Sequence, residues 1–311
     1  MAKQKSDKKK LDYTKDPKEF EKFISRLCCK KLRKPLENTL ANIFTMRYIG
    51  NKTHGDMAEI GLTEFIRLFM YDFDCKHVGK EYYRSKEHEE DIAILNLETK
   101  DNDKHIPVSL KAYGEGPLQL STDKDNILYN FLSELKRKDI SDEDTINKVL
   151  QKIKDSILFN VIPLIYKESE KENSCNILLF DAEKLNKNLK RIVFVGPGQE
   201  FSRINQKVSK SERGKKRVHP IFMFLDKDDN YICEVRYGGK TANALQRGLW
   251  SNTIKGENYF TKLFDEWVKY NEQEDLLLLF RRALNSTREG HVNANVCLKD
   301  NIDNICKTNN L

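Results

Sequence analysis

Asp91-Ile-Ala-Ile-Leu-Asn-Leu97, a polar turn, and Ile106-Pro-Val-Ser-Leu-Lys-Ala-Tyr-Gly114 carry the residue types that handle phosphate. Side chains alternate between faces along a strand, so Ser109 and Lys111 share one face. With the turn centred near Asp101 and Asn102, antiparallel pairing sets Asp91 opposite Lys111 or Ala112. A carboxylate, a hydroxyl and an ammonium then converge at one end of a hairpin. Such a set suits a hard cation and a phosphodiester, because magnesium takes oxygen ligands and polarises phosphate oxygens while a lysine neutralises developing charge. Asp91 is the candidate metal ligand, and Ser109 fills the place of a second carboxylate. The backbone carbonyl of Leu110 lies between the two inward-facing residues, where it could complete the shell. Lys111 could orient or deprotonate the attacking water, or neutralise the pentavalent phosphorus. On spacing alone, an acid followed about twenty residues later by Ser-x-Lys also describes an ion pair on an edge strand.

The elements that must position this hairpin follow from periodicity. Phe20, Phe23, Ile24, Leu27, Leu32, Leu36, Leu40 and Ile43 suit one or two helices interrupted near Pro35. A turn at Asn51 leads into a helix whose buried stripe is expected to be Met57, Ile60, Phe65, Leu68 and Phe69, with Glu59 at its flank as a further candidate catalytic acid. After the hairpin, Lys124 to Tyr166 reads as mostly helical, and Lys167 to Ser174 as a polar connector. Asn176–Phe180 and Arg191–Gly196 read as buried strands separated by a turn or short helix. His219–Leu225 and Tyr231–Gly239 read as a hairpin across Lys227-Asp-Asp-Asn. A closing helix is expected from about Tyr259 to Leu284, with a polar tail beyond. The whole suggests an α/β body over residues 16–311 behind a basic flexible tail at 1–15.

Two segments have the composition of nucleic-acid contacts. Arg236-Tyr-Gly-Gly-Lys-Thr-Ala-Asn-Ala-Leu-Gln-Arg-Gly-Leu-Trp follows a strand, and Arg236, Tyr237, Lys240, Thr241, Asn243, Gln246 and Arg247 are candidate DNA contacts. Amides can pair bidentately with adenine and arginines with guanine, while Gly238 and Gly239 let the backbone approach a duplex closely. An ordinary glycine-rich loop capped by a packed Trp250 has the same composition. Ser202 to Val218 is strongly basic, and Arg203, Lys215, Lys216 and Arg217 are candidate phosphate grips, although such composition equally describes a solvated loop. The DNA-reading region is thus expected over about 200–255.

Composition narrows the classes further. The chain has 311 residues, 33% charged and 39% hydrophobic, with a net charge of +7 that suits a polyanionic partner. Seven cysteines form no CxxC pair, an odd scattered set expected to be reduced thiols in a cytoplasmic protein. The start has no apolar signal region, and no apolar run reaches the ~18 residues of a membrane span. Gly196-Pro-Gly-Gln lacks the lysine and hydroxyl of a phosphate-binding loop, no GxGxxG follows a strand, and the histidines form no HExxH. No RRM or KH pattern supports an RNA-binding module.

Taken together, Asp91, Pro107-Val-Ser-Leu-Lys111 and Thr241-Ala-Asn-Ala-Leu-Gln246 resemble the type II restriction endonucleases of the PD-(D/E)XK superfamily, in particular the MspI-like short-site cutters. In that variant a polar residue replaces the second acid before x-Lys. The similarity covers roughly residues 51–122 and 219–252. It implies a mixed central β-sheet flanked by helices, Mg2+ as cofactor, and hydrolysis of double-stranded DNA at a short sequence to leave 5′-phosphates. Asp91 would bind metal, Ser109 would hold metal-bound water or the ion's outer shell, Lys111 would assist the nucleophile and Glu59 would be the helical acid. Tyr113, Gln119, Ser121 and Thr122, just after the catalytic strand, join the candidate base contacts. A restriction-modification system implies a partner DNA methyltransferase, and the enzyme could act as monomer or homodimer. Two other readings stay open: a structure-selective or repair nuclease of the same superfamily, and a non-catalytic DNA-binding protein in which Asp91 and Lys111 simply pair.

Overall fold

The computed structural model describes residues 11–14, 16–46, 53–78, 90–99, 104–121, 126–156, 160–169, 171–196, 220–236, 247–270, 303, 304 and 307. They form an α/β protein whose sheets are flanked by helices, in two compact units. The first comprises residues 1–114, 162–177 and 263–311, and the second residues 115–161 and 178–262. This partition is finer than the single body expected over 16–311, and each unit carries its own sheet.

In the first unit, α1 (Pro17–Leu27) opens with Asp16 accepting from the Lys18 N–H and with Pro17 in the first turn, where a missing N–H costs nothing. A 3-10 turn, Lys30–Leu32, leads into α2 (Arg33–Thr45). The interruption expected near Pro35 falls instead at Cys28 and Cys29, since Pro35 lies in the first turn of α2 and breaks no helical hydrogen bond there. Helix α3 (Thr53–Phe69) buries Ala58, Glu59, Leu62, Thr63, Phe65 and Ile66, which corrects the expected stripe. Ile60, Leu68 and Phe69 are exposed. The helix packs on both α2 and the sheet, so its buried surface is wider and rotated relative to a single stripe.

Strands β1 (Phe73–His77), β2 (Ile92–Asn96), β3 (His105–Gly114), β6 (Val161–Glu168) and β7 (Asn173–Phe180) lie in that order. β1, β2 and β3 form an antiparallel meander, and β13 (Val268–Lys269) pairs antiparallel with β7 at Cys175 and Ser174. A parallel bridge between Tyr13 and His105 makes the sheet mixed. Leu11–Thr14, placed by composition in the basic tail, is thus attached to β3. Thr14 N–H donates to the His105 carbonyl at 2.9 Å and His105 N–H to the Asp12 carbonyl at 2.8 Å. Apolar Leu11, packed with Val78 and Ala93, supplies the reason. Val161–Glu168 forms a strand where a helix was expected, and β6 and β7 make a tight hairpin in place of the polar connector.

The second unit is built on the antiparallel order β4 (Pro117–Ser121), β11 (Gly248–Asn252), β10 (Tyr231–Arg236), β9 (Ile221–Leu225), β8 (Arg191–Val195) and β5 (Asp139–Ile140). The near-continuous apolar runs of β8, β9 and β10 are buried as expected. Asp226 closes the β9–β10 turn by accepting from the N–H groups of Asp228 and Asn230. Helices α4 (Ile127–Glu134) and α5 (Glu143–Ser156) pack together, and α6 (Ala182–Asn188) starts at Asp181, which accepts from the Lys184 N–H. Beyond Tyr259 the expected helix is absent over 260–270. β12 (Phe260–Lys262) pairs with Leu178–Phe180, and β13 follows. The remainder of that expected helix lies outside the described residues.

Candidate active site

Asp91 stands immediately before β2. The ladder pairs Ile92 with Val108 and Ile94 with Ile106, a register that puts Asp91 across from Ser109. The offset differs from the expected opposition to Lys111 or Ala112. A turn centred at Asp101 and Asn102 would pair Leu95 with Val108, whereas the ladder pairs Leu95 with His105. Lys111 shares Ser109's face, two residues further along β3.

The carboxylate is firmly oriented. Its Oδ2 accepts the Ser109 hydroxyl at 3.1 Å and the Leu110 N–H at 2.8 Å. The Asp91 backbone is held as well, its N–H donating to the Val108 carbonyl at 3.0 Å and its carbonyl accepting from the Val78 N–H at 3.1 Å. A strand residue projects its N–H and C=O from the same edge, so the Leu110 carbonyl is directed to the side of Asp91. Asp91, Ser109 and Lys111 are half-buried, open enough to meet a ligand.

The arrangement meets one test for magnesium. Asp91, Ser109 and Leu110 offer hard oxygen donors, and this ion is commonly held by one or two carboxylates with water and phosphate completing the octahedron. Among the described residues no group of three or more His, Cys, Asp or Glu is placed to hold a metal ion.

Glu59 occupies a different place from the one expected of a catalytic acid. It is 8% exposed, and its Oε2 lies 2.7 Å from His77 Nε2. His77 is paired with Ile92, and Ile92 with Val108. Cross-strand partners share a face, so the Glu59–His77 pair lies on the side of the sheet opposite Ser109 and Lys111. Thr63, one turn on from Glu59, donates to the Glu59 carbonyl and lies 3.8 Å from Cys75 Sγ.

Two residues not singled out from sequence accompany the site. Glu90, the neighbour of Asp91, accepts a hydrogen bond from the Tyr13 hydroxyl. His77 is the other. The apolar-polar alternation of Phe73-Asp-Cys-Lys-His77 is a strand signal that would have placed this histidine on an inward face.

Tyr113 is half-buried on β3 in the first unit. The remaining described candidates for DNA contact belong to the second unit. Gln119 is 3% exposed and its amide donates to the Arg247 carbonyl at 2.9 Å, as does the Trp250 indole. Arg236 lies over the Trp250 ring, 4.2 Å from its centroid, and pairs with buried Glu234. Gln119 and Arg236 are therefore engaged with their own sheet, while Ser121 ends β4 opposite Leu249. Thr122, Arg203, Lys215, Lys216, Arg217, Tyr237, Lys240, Thr241, Asn243 and Gln246 lie outside the described residues.

No described helix is long and apolar enough to cross a membrane. No family model, curated protein or solved structure matches the chain.

Proposed function

We propose that this chain is a Mg2+-dependent endonuclease that hydrolyses double-stranded DNA at a short sequence, in the manner of a type II restriction enzyme of the PD-(D/E)XK superfamily. The observation that carries the reading is the Asp91 carboxylate, clamped by the Ser109 hydroxyl and the Leu110 N–H, with Lys111 on the Ser109 face of the same strand. Magnesium, when bound, would polarise the scissile phosphate and lower the pKa of a bound water. Asp91 and the Leu110 carbonyl would hold the ion. Ser109, donating its proton to Asp91, keeps hydroxyl lone pairs to accept from a water and orient it. Lys111 would stabilise the extra negative charge as a water oxygen bonds to phosphorus in line with the departing 3′ oxygen. The P–O3′ bond breaks, the attacking water releases a proton to solvent, the 3′ oxygen takes one up, and a 5′-phosphate remains. Sequence reading is assigned to the segment around Gln246 and Arg247, and a methyltransferase acting on the same site would protect host DNA.

The test is incubation of unmethylated phage DNA with magnesium or with EDTA, alongside Asp91→Ala and Lys111→Ala, with sequencing of the fragment ends. Discrete fragments that need magnesium, Asp91 and Lys111 and share one short terminal sequence support the proposal. Cutting without a shared sequence would point to a structure-selective or repair nuclease. A second reading, a non-catalytic DNA-binding protein, is favoured by the two hydrogen bonds on Asp91 Oδ2, which would serve equally to satisfy the β3 backbone just beyond its ladder with β2. It predicts duplex binding and no magnesium-dependent nicking.

A further inference from the structure

The Glu59–His77 pair is buried on the sheet face opposite Ser109, each side chain 11% exposed, and the proposed chemistry leaves it without a task. Several observations converge on what it does. Glu59 lies on α3 and His77 ends β1, so the 2.7 Å contact bolts the helix to the last residue of that strand. The next residue, Val78, donates its N–H to the Asp91 carbonyl at 3.1 Å, and His77 itself pairs with Ile92. The bolt is therefore one residue from a backbone hydrogen bond to Asp91 and directly across from its neighbour. Thr63 and Cys75 repeat the contact a step further in, which leaves the pair at the end of the α3–β1 seam closest to Asp91.

We propose that His77, held by Glu59, is a positioning residue for Asp91, a role that rests on the nuclease reading above. The contact fixes the end of β1, β1 fixes the Asp91 backbone, and the carboxylate presents a constant face to magnesium. Residues that support a ligand from behind typically change metal affinity or activity by about 10–100-fold when removed. Side-chain length separates this role from simple packing. Glutamine places an amide nitrogen near the position of His Nε2 and keeps the bond to Glu59, asparagine falls short of it, and leucine fills volume with no donor.

The test uses the full-length chain with His77→Gln, His77→Asn and His77→Leu. It reads kcat and KM on a cleaved duplex, the affinity for Mg2+ alone by calorimetry, and the thermal midpoint. The expected result is a fall in kcat and in Mg2+ affinity of about tenfold or more for Asn and Leu, with KM for DNA within about threefold and Gln within about threefold of wild type throughout. If Leu fails to fold, the Gln and Asn comparison carries the same contrast. Asn or Leu variants with wild-type kcat and Mg2+ affinity would overturn the positioning role and leave the nuclease reading standing. So would equal losses in Gln and Asn, which would assign the effect to the ring. A wild-type protein that neither cuts DNA nor binds Mg2+ would overturn the nuclease reading and this inference with it.

Discussion

Replacing Asp91 by asparagine separates its structural duty from its proposed chemical one. Asparagine is isosteric, and its carbonyl oxygen can still accept from the Ser109 hydroxyl and the Leu110 N–H, at 3.1 and 2.8 Å in the native chain. A hydrogen bond to a charged acceptor contributes about 1.5–3 kcal/mol and one to a neutral acceptor about 0.5–1.5. The change therefore costs about 1 kcal/mol per bond, and the half-exposed setting trims the pair to about 1–2 kcal/mol. Alanine removes the acceptor altogether and strands the N–H of buried Leu110, for about 3 kcal/mol. At roughly 2–4 °C per kcal/mol, asparagine should lower Tm by about 3–6 °C and alanine by more. Cleavage should not follow that gradation. Loss of the carboxylate should reduce kcat at least about a thousandfold in both variants, close to 4 kcal/mol of transition-state stabilisation. Differential scanning fluorimetry and single-turnover cleavage of a labelled duplex measure the two quantities side by side. An asparagine variant that keeps more than about a tenth of wild-type kcat would refute Asp91 as a metal ligand. Equal destabilisation by asparagine and alanine would refute the account of its hydrogen bonds.

Three further outcomes follow from the same structure. Asp139, bound bidentately by Arg191, has its carboxyl held below the usual carboxylate range of about 4. A depressed folded-state pKa adds stability that is present above the unfolded value and lost as pH falls through the folded one. The advantage of wild type over Arg191→Gln in urea midpoints should thus be constant from about pH 7 to 5 and shrink below about pH 4; an advantage that grows on acidification would contradict the assignment. Burial pushes the Cys175 thiol up to about 12 and that of Cys233 well above its ordinary range, so neither should react with iodoacetamide at pH 8 in the native protein. Mass-spectrometric mapping of rapid alkylation at either site would contradict their placement. At Gly256 an added Cβ would lie 2.9 Å from the Asn252 carbonyl and 3.0 Å from the Ile232 carbonyl, so Gly256→Ala should destabilise by about 1–3 kcal/mol in urea unfolding; an unchanged midpoint would mean that this turn yields.

What could be read from the chain, and what could not, divides along the range of the interactions involved. Strands β7 to β10 were legible because Ile177-Leu-Leu-Phe, Arg191–Val195 and Ile221–Leu225 are short apolar runs bounded by turn residues, and such runs are buried whatever lies beside them. Val161-Ile-Pro-Leu-Ile-Tyr is equally apolar, and periodicity alone cannot separate a buried strand from a helix segment at that length. Phe260, Phe264 and Tyr270 fall within the expected closing helix, yet each answers to a distant partner. Phe260 meets Phe180 edge-on at 5.5 Å, the Phe264 carbonyl faces the Asn176 amide, and Tyr270 packs on Phe44 at 5.6 Å.

The candidate site follows the same division. Asp91 and Ser109 were legible as neighbours because one hairpin suffices to bring them together, and alternation puts Lys111 on the Ser109 face. Their offset was not, since alternation fixes which residues share a face and not how far the two strands slide past one another. Glu59 shows the limit most clearly. An acid beside an apolar stripe looks like a ligand in waiting when only its helix is considered. Its tertiary partner is His77, on the sheet face that Ser109 and Lys111 do not share. A 2.7 Å contact of that kind leaves Glu59 in support of the end of β1, next to the Val78 N–H that holds the Asp91 carbonyl, and the comparison of glutamine with asparagine at His77 measures how far that support reaches into the proposed chemistry.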